Sequence, residues 1–253
     1  MSTDTTQTLR LDIDATTQVG ALWQRPPEAR AACTLAHGAG AGMTHGFMSA
    51  VADGLAQRGI ASLRYQFAYM QRGSKRPDAP ALAHAAVRAA VAMAHTLAGA
   101  LPLYAGGKSF GGRMTSQAQA AAPLPHVRGI FFIGFPLHPA GRPAVARASH
   151  LADVALPMLF LQGTRDELAE LPLLQPVVEQ LGERAQLELL EHADHAFHVP
   201  ARSGRTDAQT LANLLDRLSG WMLGEGLEAK PLAISFGHGD SSQRDLQLQT
   251  HGG

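Results

Sequence analysis

The stretch Gly107-Lys108-Ser109-Phe110-Gly111 constrains what this chain can fold into more than any other. It follows the apolar run Leu101-Pro102-Leu103-Tyr104-Ala105-Gly106, which reads as a strand. It opens into Gly112-Arg113-Met114-Thr115-Ser116-Gln117-Ala118, which can be helical. A serine flanked in this way, between a strand and a helix, sits in a turn too sharp for side chains at the glycine positions. Such a turn lifts the Ser109 hydroxyl above the sheet and aims the next amide, that of Phe110, at the space in front of it.

The rest of the chain supplies a sheet for that strand to join. Leu9 to Ile13 alternates in polarity and reads as a strand, with Val19 to Trp23 as its partner before Pro26-Pro27. Residues 31–36 form a short apolar strand that ends in the glycine-rich His37-Gly38-Ala39-Gly40. Further strands are expected at 60–67, 127–135, 158–162 and 187–190. Helices are expected at 44–58, 80–97, 172–181 and after the capping box Thr206-Asp207-Ala208-Gln209. Residues 136–155 carry three prolines and read as a loop with room for one short helix. Strands alternating with helices through short connections predict an α/β fold: a mostly parallel central sheet with helices on both faces. No repeat or linker divides the chain, so one domain spans 1–253, with its core at about 8–223. Residues 224–253 form a C-terminal tail, expected to be partly disordered or to add an edge strand at Pro231-Leu232-Ala233-Ile234-Ser235-Phe236.

Composition removes several alternatives. The 21 basic and 21 acidic residues cancel, which argues against a nucleic-acid surface or a polybasic membrane surface. The polar start lacks the basic and apolar regions of a signal peptide, and no apolar run approaches the ~20 residues of a membrane span. A soluble, cytoplasmic protein is expected, a monomer or homodimer with no membrane partner. Cys33 lies in an apolar strand and reads as a core residue. Gly107-Lys108-Ser109 resembles the end of a phosphate-binding loop, but the glycine required five residues earlier is Pro102.

In open α/β sheets, ligands bind at the carboxyl ends of the strands. His37-Gly38, Ser109, Asp166 and His195 all fall just after a predicted strand. Acyl transfer needs a nucleophile, a base, an acid that orients the base, and donors for the oxyanion. Ser109 is the candidate nucleophile and Asp166 the candidate acid, with Glu167 in reserve. His195 is the candidate base among His192, His195 and His198. The amides of Phe110 and Ala39 are the candidate oxyanion donors. The three histidines lie in a loop without a cysteine or carboxylate cluster to match, so no metal and no cofactor are expected. His138, Arg142, Lys75, Arg76 and Arg113 fall near the expected mouth of the site. They could select a carboxylate or phosphate, or simply be solvated surface charges.

Six motifs occur in order: Leu35-Ala36-His37-Gly38-Ala39-Gly40, Arg64-Tyr65-Gln66-Phe67-Ala68-Tyr69-Met70, Gly106-Gly107-Lys108-Ser109-Phe110-Gly111-Gly112-Arg113, Gly134-Phe135-Pro136-Leu137-His138-Pro139, Gln162-Gly163-Thr164-Arg165-Asp166 and Ala193-Asp194-His195-Ala196-Phe197. The set resembles the α/β-hydrolase superfamily, in its small, lidless, dienelactone-hydrolase-like branch. Within that branch it is similar to the bacterial hydrolases grouped with the testis-expressed-protein and histone-acetyltransferase-complex-subunit types. The resemblance covers about residues 19–223. It implies an α/β-hydrolase fold with little or no cap domain. It also implies a serine hydrolase acting on a small-molecule ester or thioester, with Ser109, Asp166 and His195 as its triad. The alternatives are a non-catalytic binding module on the same fold, or an acyltransferase using the same residues. Glu167-Leu168-Ala169-Glu170 is more charged than the family leads one to expect, so the loop after the acid is expected to differ.

Overall fold

The computed structural model describes residues 6–225. The chain runs β1 (Thr6–Asp12), β2 (Gln18–Gln24), β3 (Ala31–Ala36), α1 (Gly46–Ala56), β4 (Ile60–Tyr65), α2 (Ala68–Gln71), α3 (Pro80–Ala98), β5 (Leu103–Lys108), α4 (Phe110–Ala121), β6 (Val127–Ile133), β7 (Met158–Gly163), α5 (Leu171–Gln180), β8 (Ala185–Leu190) and α6 (Asp207–Leu223). Three short 3₁₀ segments join these elements, at Ala146–Asp153, Gly182–Arg184 and Ala201–Ser203. The strands make one eight-stranded sheet in the order β1-β2-β4-β3-β5-β6-β7-β8. β1 and β2 pair antiparallel with each other, as do β2 and β4, and every pairing from β4 to β8 is parallel.

The parallel strands read as unbroken apolar runs because both of their faces are covered. Side chains alternate across each strand. Ala31, Cys33, Leu35, Phe131, Ile133, Leu159 and Leu161 therefore meet Met48, Val51 and Leu55 of α1 and Leu214, Leu215 and Leu218 of α6. On the other face, Ala32, Ala36, Ile130, Phe132 and Phe160 meet the alanine face of α3, Met114 and Ala118 of α4, and Leu174 and Val178 of α5. Cys33 is a core residue as expected, and burial pushes its thiol up to about 12. Thr206 and Gln209 form the anticipated capping box at the start of α6.

Several expectations are corrected. The strand expected at 101–106 begins at Leu103 and runs on to Lys108, with Gly106 and Gly107 in register between Leu35-Ala36 and Phe131-Phe132. A Cβ on Gly106 would stand 2.2 Å from the Phe131 carbonyl oxygen, so here glycine permits close strand packing rather than ending the strand. The strand expected at 60–67 stops at Tyr65, and the four-residue α2 follows. α3 has the length and apolar composition of a membrane span, against the expectation that no segment approaches one. Its apolarity comes from alanines, and Ala83, Ala86, Ala90 and Ala94 bring it close to the sheet. The tail assigned to 224–253 lies outside the described residues from 226 onward, including the edge strand expected at 231–236.

Candidate active site

Ser109 stands between β5 and α4 with φ 49° and ψ −114°, a left-handed conformation that an L-residue adopts only when its surroundings impose it. The imposing contacts are visible. A Cβ on Gly107 would lie 2.2 Å from the Ala36 carbonyl oxygen, and one on Gly111 would lie 2.6 Å from that of His37. The Ser109 amide donates to the Ile133 carbonyl at 3.1 Å, which ties the turn to β6.

The residues expected to act together do converge. His195 Nε2 lies 2.9 Å from Ser109 Oγ, and His195 Nδ1 lies 2.7 Å from Asp166 Oδ2. Asp166 is buried, while the His195 side chain is 26% exposed, so the imidazole bridges the interior and the cavity. Asp166 follows β7, and its other oxygen accepts from the Leu168 amide at 2.8 Å. Glu167, the reserve acid, is exposed, and the carboxylate bonded to His195 is that of Asp166. The His195 turn is shaped by Asp194, whose Oδ1 accepts from the amides of Ala196 at 2.8 Å and His198 at 2.9 Å. Phe197, at φ 65°, stacks on Phe47 of α1 at 6.0 Å. His192 donates its amide to Thr164 Oγ1, and the His198 ring pairs with Asp207. Neither ring reaches Ser109.

The loop after β3 is fixed by His37, which is fully buried. Its Nδ1 donates to the Gly38 carbonyl at 2.7 Å, and its Nε2 accepts from the Phe67 amide at 3.0 Å. Burial pushes His37 down to about 4, so the ring is neutral and this one tautomer satisfies both bonds. In the trans peptide that follows, N–H and C=O point in opposite directions. The Gly38 carbonyl faces His37, so the Ala39 N–H points away from it. Tyr69 Oη donates to the Ala39 carbonyl at 3.0 Å and holds the next peptide as well. The Phe110 amide is the first of α4, where helical geometry leaves N–H groups unpaired.

Ser109 and His195 open onto a cavity of about 480 Å³. Gly38, Ala39, Ala41, Phe47, Met48, Leu168 and Ala196 make most of its wall, with His45 and Lys108 as polar members. No residue of 136–153 lines it; that segment packs Ala148 and Leu151 into the core beside α4. The cations expected at the mouth are likewise elsewhere. His138 is buried, with Nδ1 on the Pro139 carbonyl and its own amide on the Leu168 carbonyl, so it braces the loop that carries Asp166. Arg113 lies over the Phe110 ring, 5.9 Å from its centroid, and Lys75, Arg76 and Arg142 do not line the cavity either. The charged loop 167–170 leads into α5 and donates the Glu170 amide towards His138 Nε2.

Sequence reasoning missed Gln162. It is fully buried at the end of β7, donates from Nε2 to Asp166 Oδ2 at 2.5 Å, and accepts from the Phe135 amide at 2.8 Å. An uncharged polar residue closing the apolar strand Met158 to Leu161 was the available signal.

The alpha/beta hydrolase domain family matches residues 29–223. Among solved structures, the chain is similar to dienelactone hydrolase from Anabaena variabilis, at 20% identity and TM-score 0.69 over 87% of this chain and 98% of that one. It is similar to a serine hydrolase without a lid from Xanthomonas campestris, at 20% identity and TM-score 0.66 over 85% and 94%. An esterase domain from Rhodothermus marinus matches at 16% identity and TM-score 0.66 over 87% and 98%. These likenesses show a shared fold, small and without a cap domain among the described residues. With the family match covering most of its length, the chain belongs to the α/β-hydrolases.

Proposed function

We propose that this protein is a serine hydrolase that cleaves a carboxylic ester or thioester through an acyl-enzyme on Ser109. The observation that carries the reading is the continuous hydrogen-bonded chain from Ser109 Oγ through His195 to Asp166, at 2.9 and 2.7 Å. Ser109 Oγ attacks the substrate carbonyl carbon as its proton passes to His195 Nε2. Buried Asp166 accepts from Nδ1–H and stabilises the imidazolium that forms. The Phe110 and Ala39 amides donate to the oxyanion. Collapse expels the alcohol or thiol, which takes the proton from His195. Water then attacks the acyl group and gives a proton to His195; collapse releases the acid, and Ser109 Oγ takes that proton back from His195. The esterase and serine-hydrolase neighbours on the same fold support the reaction class.

An activated serine reacts with a fluorophosphonate, and an ordinary surface serine does not. The reading predicts stoichiometric labelling mapped by mass spectrometry to Ser109; no adduct at Ser109 after prolonged exposure would sink it.

The cavity sets a limit on the acyl group. Its apolar wall is short and, among the described residues, nothing covers its mouth, so methylenes beyond it stay in water and forgo the ~0.8 kcal/mol that each gains on burial. Specificity constants measured for acetyl, butyryl, octanoyl and palmitoyl esters are expected to peak at or below butyryl. A clear optimum at palmitoyl would require an acyl tunnel that the lining residues do not provide.

A further inference from the structure

Lys108 ends β5 and directly precedes Ser109, yet the reaction above gives it no part. Part of its side chain lines the Ser109 cavity, passing Gly38, where a Cβ would meet Lys108 Cγ at 3.6 Å. Nζ donates to the main-chain carbonyl of His195 at 2.5 Å and lies 5.1 Å from the centroid of the Phe197 ring. A Cβ on Gly134 would meet Lys108 Nζ at 3.0 Å and His195 Nδ1 at 3.5 Å, so the ammonium and the imidazole border the same small space.

Among the described residues, two carboxylates act on Nζ. Asp166 faces it from the loop after β7, and Asp194 from the His195 turn. Burial brings the amine down to about 8 against the pull of these two carboxylates. An apolar side chain of equal length would fill this space without the cost of desolvating a charge. The cation therefore answers to what its ammonium touches.

It touches the His195–Ala196 peptide, whose amide end goes to Asp194 Oδ1 and whose carbonyl end goes to Lys108. Backbone bonds fix the Ala193 carbonyl to the Arg165 amide and the Asp194 amide to the His198 carbonyl, and Asp194 Oδ1 takes the Ala196 and His198 amides. The His195 carbonyl is held by Lys108. Rotating that peptide would swing the imidazole out of line between Asp166 and Ser109.

We propose that Lys108 is a positioning residue: its ammonium grips the His195 carbonyl and keeps the imidazole aligned with Ser109. The inference rests on the serine-hydrolase reading. Misplacing a catalytic group by about 1 Å can cost on the order of 10²-fold. Lys108→Met keeps an unbranched apolar stem of about the same reach as the lysine methylenes while removing donor and charge. Reacted with a fluorophosphonate, this variant is expected to lose about 10- to 100-fold in the maximal inactivation rate. Its half-saturating probe concentration stays within about twofold, because alignment and not binding is lost.

The wild-type enzyme offers a second measurement that needs no variant. Lys108 is cationic below about pH 8 and neutral above it, and a charge-assisted bond is roughly twice as strong as a neutral one. The wild-type labelling rate should therefore decline above about pH 8, and Lys108→Met should lack that decline. A wild-type maximal rate in a folded Lys108→Met overturns the proposal. If that variant does not fold, a wild-type rate that stays level from pH 8 to pH 10 overturns it instead. Failure of the wild-type protein to label at all would strike the serine-hydrolase reading, whereas labelling that ignores Lys108 strikes this inference alone.

Discussion

Ser109→Ala is expected to lower hydrolysis of a short-chain nitrophenyl ester by ~10⁴-fold or more while the protein stays folded. The substitution keeps the Cβ, so the strained backbone at φ 49° is asked to hold nothing new. The tie from the Ser109 amide to Ile133 survives, as does the contact of Gly107 and Gly111 with the Ala36–His37 backbone. What disappears is one hydroxyl and its 2.9 Å bond to His195 Nε2. The melting temperature should stay within about 4 °C of wild type, the shift that ~1 kcal/mol produces in a chain of this size. Near-normal turnover by the mutant, measured after removal of any contaminating esterase, would show that Ser109 is not the nucleophile.

Much of the fold and of this site could be read before the structure, and the pattern of success is physical. Ala31–Ala36 shows in the sequence as a strand at its observed bounds because burial on both faces leaves an unbroken apolar run between polar flanks. Ser109, Asp166 and His195 were legible because each follows a strand end, and strand ends are what periodicity locates best. The end of β5 was read two residues short, because Gly107 serves close packing against Ala36 rather than a turn. α2 escaped because four residues are too few to show a 3.6-residue period. Gln162, His37 and Lys108 reach the Phe135 amide, the Phe67 amide and the His195 carbonyl, each more than 25 residues away in the sequence. No local pattern encodes such partners. His138 illustrates the converse error. Its neighbours Phe135 and Leu137 are both fully buried, and they carry it inward from the surface it was expected to occupy.

The neutral braces and the charged centre divide the work at the site. Gln162 and the Leu168 amide take up oxygens of Asp166 without supplying a counter-charge, so its carboxylate remains available to the His195 imidazole. His37, held neutral by burial, fixes the Gly38 carbonyl and so directs the Ala39 amide, and in the proposed reaction it would place no charge near the oxyanion. Preorganised dipoles of this kind need no rearrangement as charge forms.

His195→Ala is expected to cost nearly as much as Ser109→Ala, and the double mutant little more than either single change, because nucleophile and base act as a unit. The two other histidines of the turn supply the controls. His192 sits at φ 66° beside β8 with its amide on Thr164, and its ring is not among the groups that meet Ser109. The exposed His198 ring lies 2.9 Å from Asp207 Oδ2, and that hydrogen bond raises its affinity for a proton. Its partner is the first residue of α6, so its contribution is to where that helix joins the turn. His192→Ala and His198→Ala should therefore keep most of the wild-type kcat, with at most a small fall in melting temperature. Measuring kcat for the three alanine variants and the double mutant on one ester decides the matter. If His195→Ala turns over normally while His192→Ala or His198→Ala is inactive, the base has been misassigned. If the double mutant falls far below both single mutants, Ser109 and His195 act independently and the hydrogen-bonded chain is not the catalytic unit.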